Sequence, residues 1–214
     1  MKGLTWNIVD EIGYLCLDQP PKNALNDHFF EEWKNWLGSQ KEWGALKGVI
    51  ISGKGRHFSS GTDVDQMIDN QSENTIEQVR SYFRQNRKAF LQLKSFPFPV
   101  VAAINGVCLG SAMELALSCD YRISAERAVM GFPEITFGVM PGLGGAVLLS
   151  RMTSKAKTIE LLLSGETFGA VDAYEVGIVH KIVPKKSLMA AAKDIIHNMD
   201  KGRLAFYKQQ RMYE

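Results

Sequence analysis

The chain has 214 residues, of which 45% are hydrophobic and 22% are charged, and its formal net charge at pH 7 is +2. These proportions are typical of a globular protein of about one domain, and so small a charge argues against nucleic acid or a membrane surface as partner. With no run of about 18 apolar residues and no signal-peptide stretch at the start, we expect a cytoplasmic protein.

In the first half of the chain, apolar residues recur first with the period of a strand and then with that of a helix. Alternation around Glu11 and Gly13 predicts a β-hairpin. The Phe and Trp spacing after Asn26 predicts an amphipathic helix. Residues 53–67, GKGRHFSSGTDVDQM, are predicted to form a loop. The predicted elements are strands at 4–9, 12–17 and 48–52 and helices at 27–40 and 75–94.

The second half of the chain continues the alternation of strands and helices. Asn105-Gly106 predicts a turn, and Pro141 is predicted to begin a helix because proline is tolerated in a first helical turn. This order of elements predicts an α/β fold with crossover connections. The predicted strands are 100–104, 119–124, 128–130 and 178–183, and the predicted helices are 110–118, one from 141, 154–163, 170–176 and one from 187 into the charged end.

Several motifs that carry chemistry in other proteins are missing or incomplete. Residues 48–55, GVIISGKG, nearly match a phosphate-binding loop, but Gly55 stands where a magnesium-binding hydroxyl is needed. Neither a dinucleotide-binding G-x-G-x-x-G, a G-x-S-x-G nor an H-E-x-x-H sequence occurs. Cys16, Cys108 and Cys119 lie in apolar runs without C-x-x-C spacing, and the four histidines lack metal-ligand spacing. We therefore expect reduced thiols and no metal site.

The helix predicted at 110–118 holds one carboxylate, Glu114, among small and apolar residues on every face. An ionised carboxylate in such a position costs several kcal/mol unless it is paired. The residue alone is explained either by an ion pair with Arg122 or Arg127 or by a functional role. Two other polar features favour function: the glycine-centred turn at 57–65 and Glu134, which follows a proline among glycines and apolar residues.

Three segments together resemble the crotonase (enoyl-CoA hydratase/isomerase) superfamily. They are HFSSGTDVDQM, AINGVCLGSAMELALSCDYRISAERAVMGFPEITFGVMPGLGG and LLLSGETFGAVDAYEVGIVHKIVP, with PPKNALND near the start. The resemblance implies a spiral of ββα units at 1–185, followed by a C-terminal helical segment at 186–214 that is short for the family. It also implies homotrimers or hexamers, and acyl thioesters of coenzyme A or a carrier protein as substrates, with no other cofactor.

The resemblance also implies roles for four residues of a hydratase. The backbone N–H groups of Thr62 and Ser111 would hold the thioester oxygen, because preorganised amides stabilise an oxyanion. Glu114 and Glu134 match the two glutamates that hold and activate water in family members. Two carboxyls that face one water in a poorly solvated cleft do not both ionise easily near neutral pH. Water would therefore add to the β-carbon of a 2-enoyl thioester while Glu134 gives a proton to the α-carbon.

Further residues match segments that face the substrate in the family. Contacts with the thioester or its carrier are expected for six residues: Lys22, Ala24, Ser60, Gly61, Gly110 and Gly142. Lys22 would lie near a phosphate, with a solvated loop lysine as an equal alternative. Gly142 would approach the reacting centre, or would only form the tight start of a helix.

The sequence departs from the family at two places. Ser111 replaces a glycine of the triplet that is usual in hydratases, which keeps the N–H but narrows the cleft, and the chain stops at Glu214. Two groups of alternatives therefore stay open. The chain could be an isomerase, hydrolase or decarboxylase that uses the same oxyanion hole, or a weakly active thioester-binding or assembly subunit.

Overall fold

The computed structural model describes residues 3–39, 43, 46–63, 75–199, 202 and 208. The end of the predicted loop 53–67, the last residue of the helix predicted at 27–40 and most of the charged end beyond residue 199 lie outside the described residues. None of the helices within them combines the length and the apolar character that crossing a membrane requires.

The described part of the chain forms ten strands in two sheets. The first two strands pair antiparallel as the predicted hairpin, with Leu4 opposite Leu17, and the other pairs of the larger sheet are parallel. The strands are β1 Leu4–Val9, β2 Ile12–Leu17, β3 Gly48–Gly53, β4 His57–Ser59, β5 Val100–Ile104, β6 Val107–Leu109, β7 Tyr121–Ala125, β8 Val129–Gly131, β9 Thr167–Gly169 and β10 Lys181–Val183.

The larger sheet has the order β1-β2-β3-β5-β7-β10 and forms the centre of the molecule. Val49, Ile50 and Ile51 of β3 are fully buried, as is every residue of β5. Strands that are buried on both faces read as continuous apolar runs and belong in a parallel sheet covered on both sides. This explains why GVII and VVAAI were recognisable as strands.

A second, smaller sheet has the order β4-β6-β8-β9 and was not predicted as a sheet. Each of its strands has three residues. β3 and β4, β5 and β6, and β7 and β8 follow one another as pairs, with one strand of each pair in each sheet and helical structure after it. This repetition is the spiral of ββα units that the resemblance implies.

Seven helices cover the sheets within the described residues. Asn26 caps the first through a bond from Phe29 N, and Thr75 and Gln78 form a capping box on the second. Trp33 Nε1 of the first donates to Ala89 O of the second at 3.3 Å. The helices are α1 Asp27–Gly38, α2 Ile76–Leu91, α3 Ser111–Ser118, α4 Gly145–Ser150, α5 Lys155–Ser164, α6 Ala170–Glu175 and α7 Leu188–Asn198.

The prediction that a helix begins at Pro141 was wrong by about one turn. The helix begins at Gly145, after Gly144 in the left-handed region at φ 104°. The residues between Pro141 and Gly145 form a turn whose amides bond to a side chain on α3. The predicted loop at 53–67 also contains β4, and the turn after Asn105 leads into β6 before the helix begins.

Candidate active site

A cavity of about 660 Å³ lies against the N-terminus of α3 and one face of α2. The turn Pro133–Phe137, a single stretch of 3₁₀ helix, and the loop that follows it close a further side. Thr62, Ser111, Glu114 and Glu134 all line this cavity, so the four residues predicted for catalysis share one site.

The N-terminus of α3 aims the Ser111 amide out of the helix. Gly110 O accepts from Glu114 N at 3.1 Å and therefore points along the helix. Because the N–H and C=O of one trans peptide point in opposite directions, the Ser111 N–H points the other way, beyond the helix end. The first N–H groups of a helix have no partner inside it and carry the positive end of its dipole. Gly110 N donates to Gly131 O at 3.0 Å and fixes this turn to β8.

The Thr62 amide is oriented in the same way by a neighbouring backbone segment. Leu25 N donates to Gly61 O at 2.8 Å, so the Thr62 N–H of the same peptide points away from Leu25. Gly61 has φ 88°, and a Cβ on it would lie 2.5 Å from Leu109 O, so only glycine fits here. Thr62 Oγ1 donates to Ser111 Oγ at 2.8 Å, which ties the two amide-bearing residues together.

Glu114 is 1% exposed, and backbone amides hold it. Its Oε1 accepts from Leu143 N at 2.8 Å and from Gly145 N at 2.7 Å. A Cβ on Gly145 would lie 2.8 Å from Glu114 Cγ, so the glycine allows this close approach. Glu114 does not form the ion pair with Arg122 or Arg127 that was one of its two explanations. Arg122 donates to backbone carbonyls, including Ile178 O at 2.6 Å, and Arg127 is exposed beside a separate cavity.

Burial raises the pKa of Glu114 to about 8. The two amide bonds oppose this shift, whereas the negative charge of Glu134 adds to it. Burial likewise raises the pKa of Glu134 above its ordinary value. The two carboxyls therefore hold at least part of one proton between them near neutral pH, and that titration belongs to the pair.

Glu134 approaches the same place from the turn Pro133–Phe137. Its Oε1 would lie 3.1 Å from a Cβ on Gly110, which puts the carboxyl against the residue that precedes the Ser111 amide. Its Oε2 is buried and has no hydrogen-bond partner among the described residues. An unpaired buried carboxyl oxygen is costly, and a water or a substrate atom in the cavity would satisfy it.

The residues predicted to contact the substrate divide into two groups. Ser60, Gly110 and Gly142 line the cavity, and Gly61 orients the Thr62 amide. Lys22 and Ala24 do not line the cavity. Their loop is connected to it, because Lys22 O accepts from Ser60 N at 3.0 Å.

Two sets of site residues were not predicted. The Leu143 and Gly145 amides that hold Glu114 act through the backbone, so their side chains gave no signal. The α2 residues Arg80, Arg84 and Arg87 also line the cavity. Their spacing of four and then three residues places them on one face of a helix, a pattern that was readable in the sequence.

The chain is similar to known proteins along most of its length. The family model for enoyl-CoA hydratase/isomerase matches residues 7–212. The chain is 34% identical to the fatty acid oxidation complex subunit alpha of Vibrio parahaemolyticus, over 98% of this chain and 30% of that protein. It is 32% identical to a probable enoyl-CoA hydratase of Bacillus subtilis, over 84% of this chain and 68% of that protein. The chain thus spans less than a third of the alpha subunit.

Two solved structures of similar proteins share this fold. The crystal structure of enoyl-CoA hydratase from Bacillus anthracis superposes with a TM-score of 0.86 at 30% identity, over 97% of this chain and 81% of that one. An enoyl-CoA hydratase/isomerase from Xanthobacter autotrophicus gives 0.87 at 28% identity, over 97% and 78%. The chain belongs to the enoyl-CoA hydratase/isomerase family of the crotonase superfamily.

Proposed function

We propose that the chain is an enoyl-CoA hydratase that adds water across the 2,3 double bond of a 2-enoyl thioester of coenzyme A. The observation that carries the proposal is the meeting of two acids and two outward-facing amides at one cavity. The two amides alone would not identify this reaction, because they stabilise the enolate of any thioester. One acid beside them would suffice for a double-bond shift, so the second acid favours hydration.

The thioester oxygen would sit between the amides of Thr62 and Ser111. Negative charge builds on this oxygen when a nucleophile attacks the β-carbon, and fixed N–H groups stabilise it without reorienting. One such donor lowers the barrier by about 2.7–4 kcal/mol in other enzymes. The role needs only the N–H, so a serine in place of the family's glycine is compatible with it.

The acids would move two protons in one turnover. Glu114 accepts a proton from water as the water oxygen bonds to the β-carbon, and Glu134 donates its proton to the α-carbon. The product gains one water in total, and the proton left on Glu114 returns to Glu134 before the next turnover. A base whose pKa lies near the working pH is well suited to this exchange, and the amides of Leu143 and Gly145 stabilise Glu114 while it is ionised.

The test is a spectrophotometric assay with crotonyl-CoA. Hydration removes the conjugated double bond, so the enone absorbance falls and 3-hydroxybutyryl-CoA forms. Glu114→Gln keeps an oxygen that can accept from the two amides but loses the base, and we expect a rate at least about 100-fold lower. Wild-type turnover in this variant would contradict the mechanism.

The same instrument separates the alternatives. An isomerase acting on 3-butenoyl-CoA would raise the enone absorbance, and a hydrolase would release a free thiol that a thiol reagent detects. Binding of crotonyl-CoA without any of these changes would support an assembly or binding subunit instead.

We also propose that the chain assembles with further copies of itself. Large apolar side chains are exposed on the outer helices α4, α5 and α6, which is unusual for a surface that faces only water. Light scattering after size-exclusion chromatography measures the mass, and a trimer or hexamer is expected. The exposed residues are Val147 at 54%, Ile159 at 48%, Leu163 at 57%, Val171 at 60% and Tyr174 at 53%.

A further inference from the structure

One wall of the candidate cavity carries three arginines. Arg80, Arg84 and Arg87 of α2 line it together with the apolar Val79 and Phe83. We call these three arginines the arginine stripe. Because its members lie on one helical face, the wall presents a row of cations beside apolar surface.

The arginine stripe lies near the carboxyl pair. A Cβ on Gly144 would lie 3.3 Å from Arg87 Cδ, and the neighbours of Gly144 in the chain, Leu143 and Gly145, donate to Glu114. Phe83 packs as closely, since a Cβ on Gly142 would lie 2.6 Å from its Cδ1. This wall of α2 therefore rests on the turn that positions the predicted base.

The described residues supply no anion to pair with the stripe. None of the ion pairs within them includes Arg80, Arg84 or Arg87. The acids that share the cavity are Glu114 and Glu134, and neither forms an ion pair with the stripe. An apolar acyl chain gains no favourable interaction from guanidinium groups beside it, and the like charges of the stripe repel one another. An anion bound between them would remove this repulsion.

We infer that the acyl chain of the natural substrate ends in a carboxylate, which binds the arginine stripe. This inference rests on the proposed function and names its substrate class: 2-enoyl thioesters of dicarboxylic acids. A guanidinium binds a carboxylate through two parallel N–H···O bonds, which gives both affinity and orientation. The apolar Val79 and Phe83 would contact the methylene groups that precede the carboxylate.

The phosphates of coenzyme A are the other anions of the substrate that could bind the stripe. The arrangement of the site favours the end of the acyl chain as the part that lies there. Lys22, Ala24 and Ser60 lie in the segments that resemble carrier-facing ones. The bond from Ser60 N to Lys22 O joins these two segments close to Thr62. The thioester would pass from there to the amides of Thr62 and Ser111 and then to the acids, where α2 forms the wall.

Binding of saturated thioesters tests the inference without turnover. Isothermal titration compares adipoyl-CoA with hexanoyl-CoA, and glutaryl-CoA and suberoyl-CoA with pentanoyl-CoA and octanoyl-CoA. Both members of each pair carry the same phosphates and the same number of acyl carbons, so their affinity ratio isolates the terminal carboxylate. We expect at least one dicarboxylyl thioester to bind about 10-fold more tightly than its partner. Ratios near one or below in all pairs would overturn the inference.

Two substitutions show which anion the stripe binds. In Arg84→Gln and Arg87→Gln we expect the affinity ratio to fall toward one, while the monocarboxylic thioester binds as before. Arg127→Gln, which removes the same charge at a separate cavity, should keep the wild-type ratio. An equal loss for both thioesters would assign the stripe to carrier phosphates, and a ratio that survives both substitutions would assign the preference elsewhere. Either result refutes the proposal.

The outcome is separable from that of the proposed function. Hydration of crotonyl-CoA, which has no carboxylate, tests the reaction by itself. Crotonyl-CoA hydration with affinity ratios near one would leave a hydratase and overturn only the substrate class. A carboxylate-dependent ratio without hydration would uphold the binding of dicarboxylyl chains and overturn the reaction.

Discussion

Two walls of the candidate cavity hold their charged groups by different means. On the α3 wall, Glu114 is 1% exposed, and its Oε1 is fixed by two backbone amides. On the α2 wall, the arginine stripe is exposed and has no ion-pair partner among the described residues. Backbone donors keep one geometry whatever substrate enters, whereas long exposed side chains adapt. Under the proposed function, the first wall would serve the chemical step and the second would select the acyl chain.

The largest expected difference between the two walls is in the pH dependence of stability. The pKa of Glu114 rises on folding from 4.5 to about 8, so the folded chain binds more protons than the unfolded chain between these values. The resulting stability is complete below pH 4.5 and is lost as pH rises to about 8, by several kcal/mol. Denaturant titrations should show a shallower decline in Glu114→Gln and the wild-type decline in Arg84→Gln. Parallel curves for Glu114→Gln and wild type would mean that Glu114 is ionised in the folded chain.

Loss of either acid should come next in size. We expect Glu114→Gln and Glu134→Gln each to lower kcat for crotonyl-CoA at least about 100-fold, because each removes one proton transfer. Arg84→Gln should leave kcat for crotonyl-CoA within about 3-fold, since an effect on binding alone does not change the chemical barrier. A variant of either acid with wild-type kcat would remove that residue from the mechanism.

A change in the backbone support of Glu114 sharpens the contrast further. Gly145→Ala places a Cβ 2.8 Å from Glu114 Cγ and displaces the carboxyl. We expect kcat to fall about 10-fold with little change in substrate affinity, since small misplacements of a catalytic group are costly. Gly38→Ala is the matched control, because a Cβ there has nothing within 4 Å. Equal activity of the two variants would show that the turn does not position the acid.

The smallest effect is expected at Ser111. Ser111→Ala keeps the amide and removes only the hydroxyl that accepts from Thr62 Oγ1. Steady-state kinetics should show kcat within about 3-fold of wild type, because oxyanion stabilisation depends on the backbone N–H. A loss of about 100-fold would make the hydroxyl itself a catalytic donor and would redefine this wall as one that also acts through a side chain.

The sequence predicted elements and residues whose signal was long or chemically distinctive. β1 and β2 show the alternation of apolar and polar residues that is typical of a strand, and α1 shows the helical spacing of apolar residues. Glu114 was recognisable as a carboxylate in an otherwise apolar helix. β4, β6 and β9 have three residues each, too few to display a period of two. The helix start moved from Pro141 to Gly145 because the intervening amides bond to Glu114 instead of opening a helix, a contact between elements that no local pattern encodes.

The bond from Leu25 N to Gly61 O links the Thr62 amide to the segments that are expected to contact the carrier portion of the substrate. The peptide that aims the Thr62 amide is braced by the same short backbone ladder that includes Lys22 O and Ser60 N. A carrier that binds this backbone ladder would hold the Thr62 amide in place during the reaction. Part of the carrier's binding energy would therefore raise kcat instead of the affinity for the substrate. Substrates shortened to a bare thioester would then be turned over slowly even at saturation.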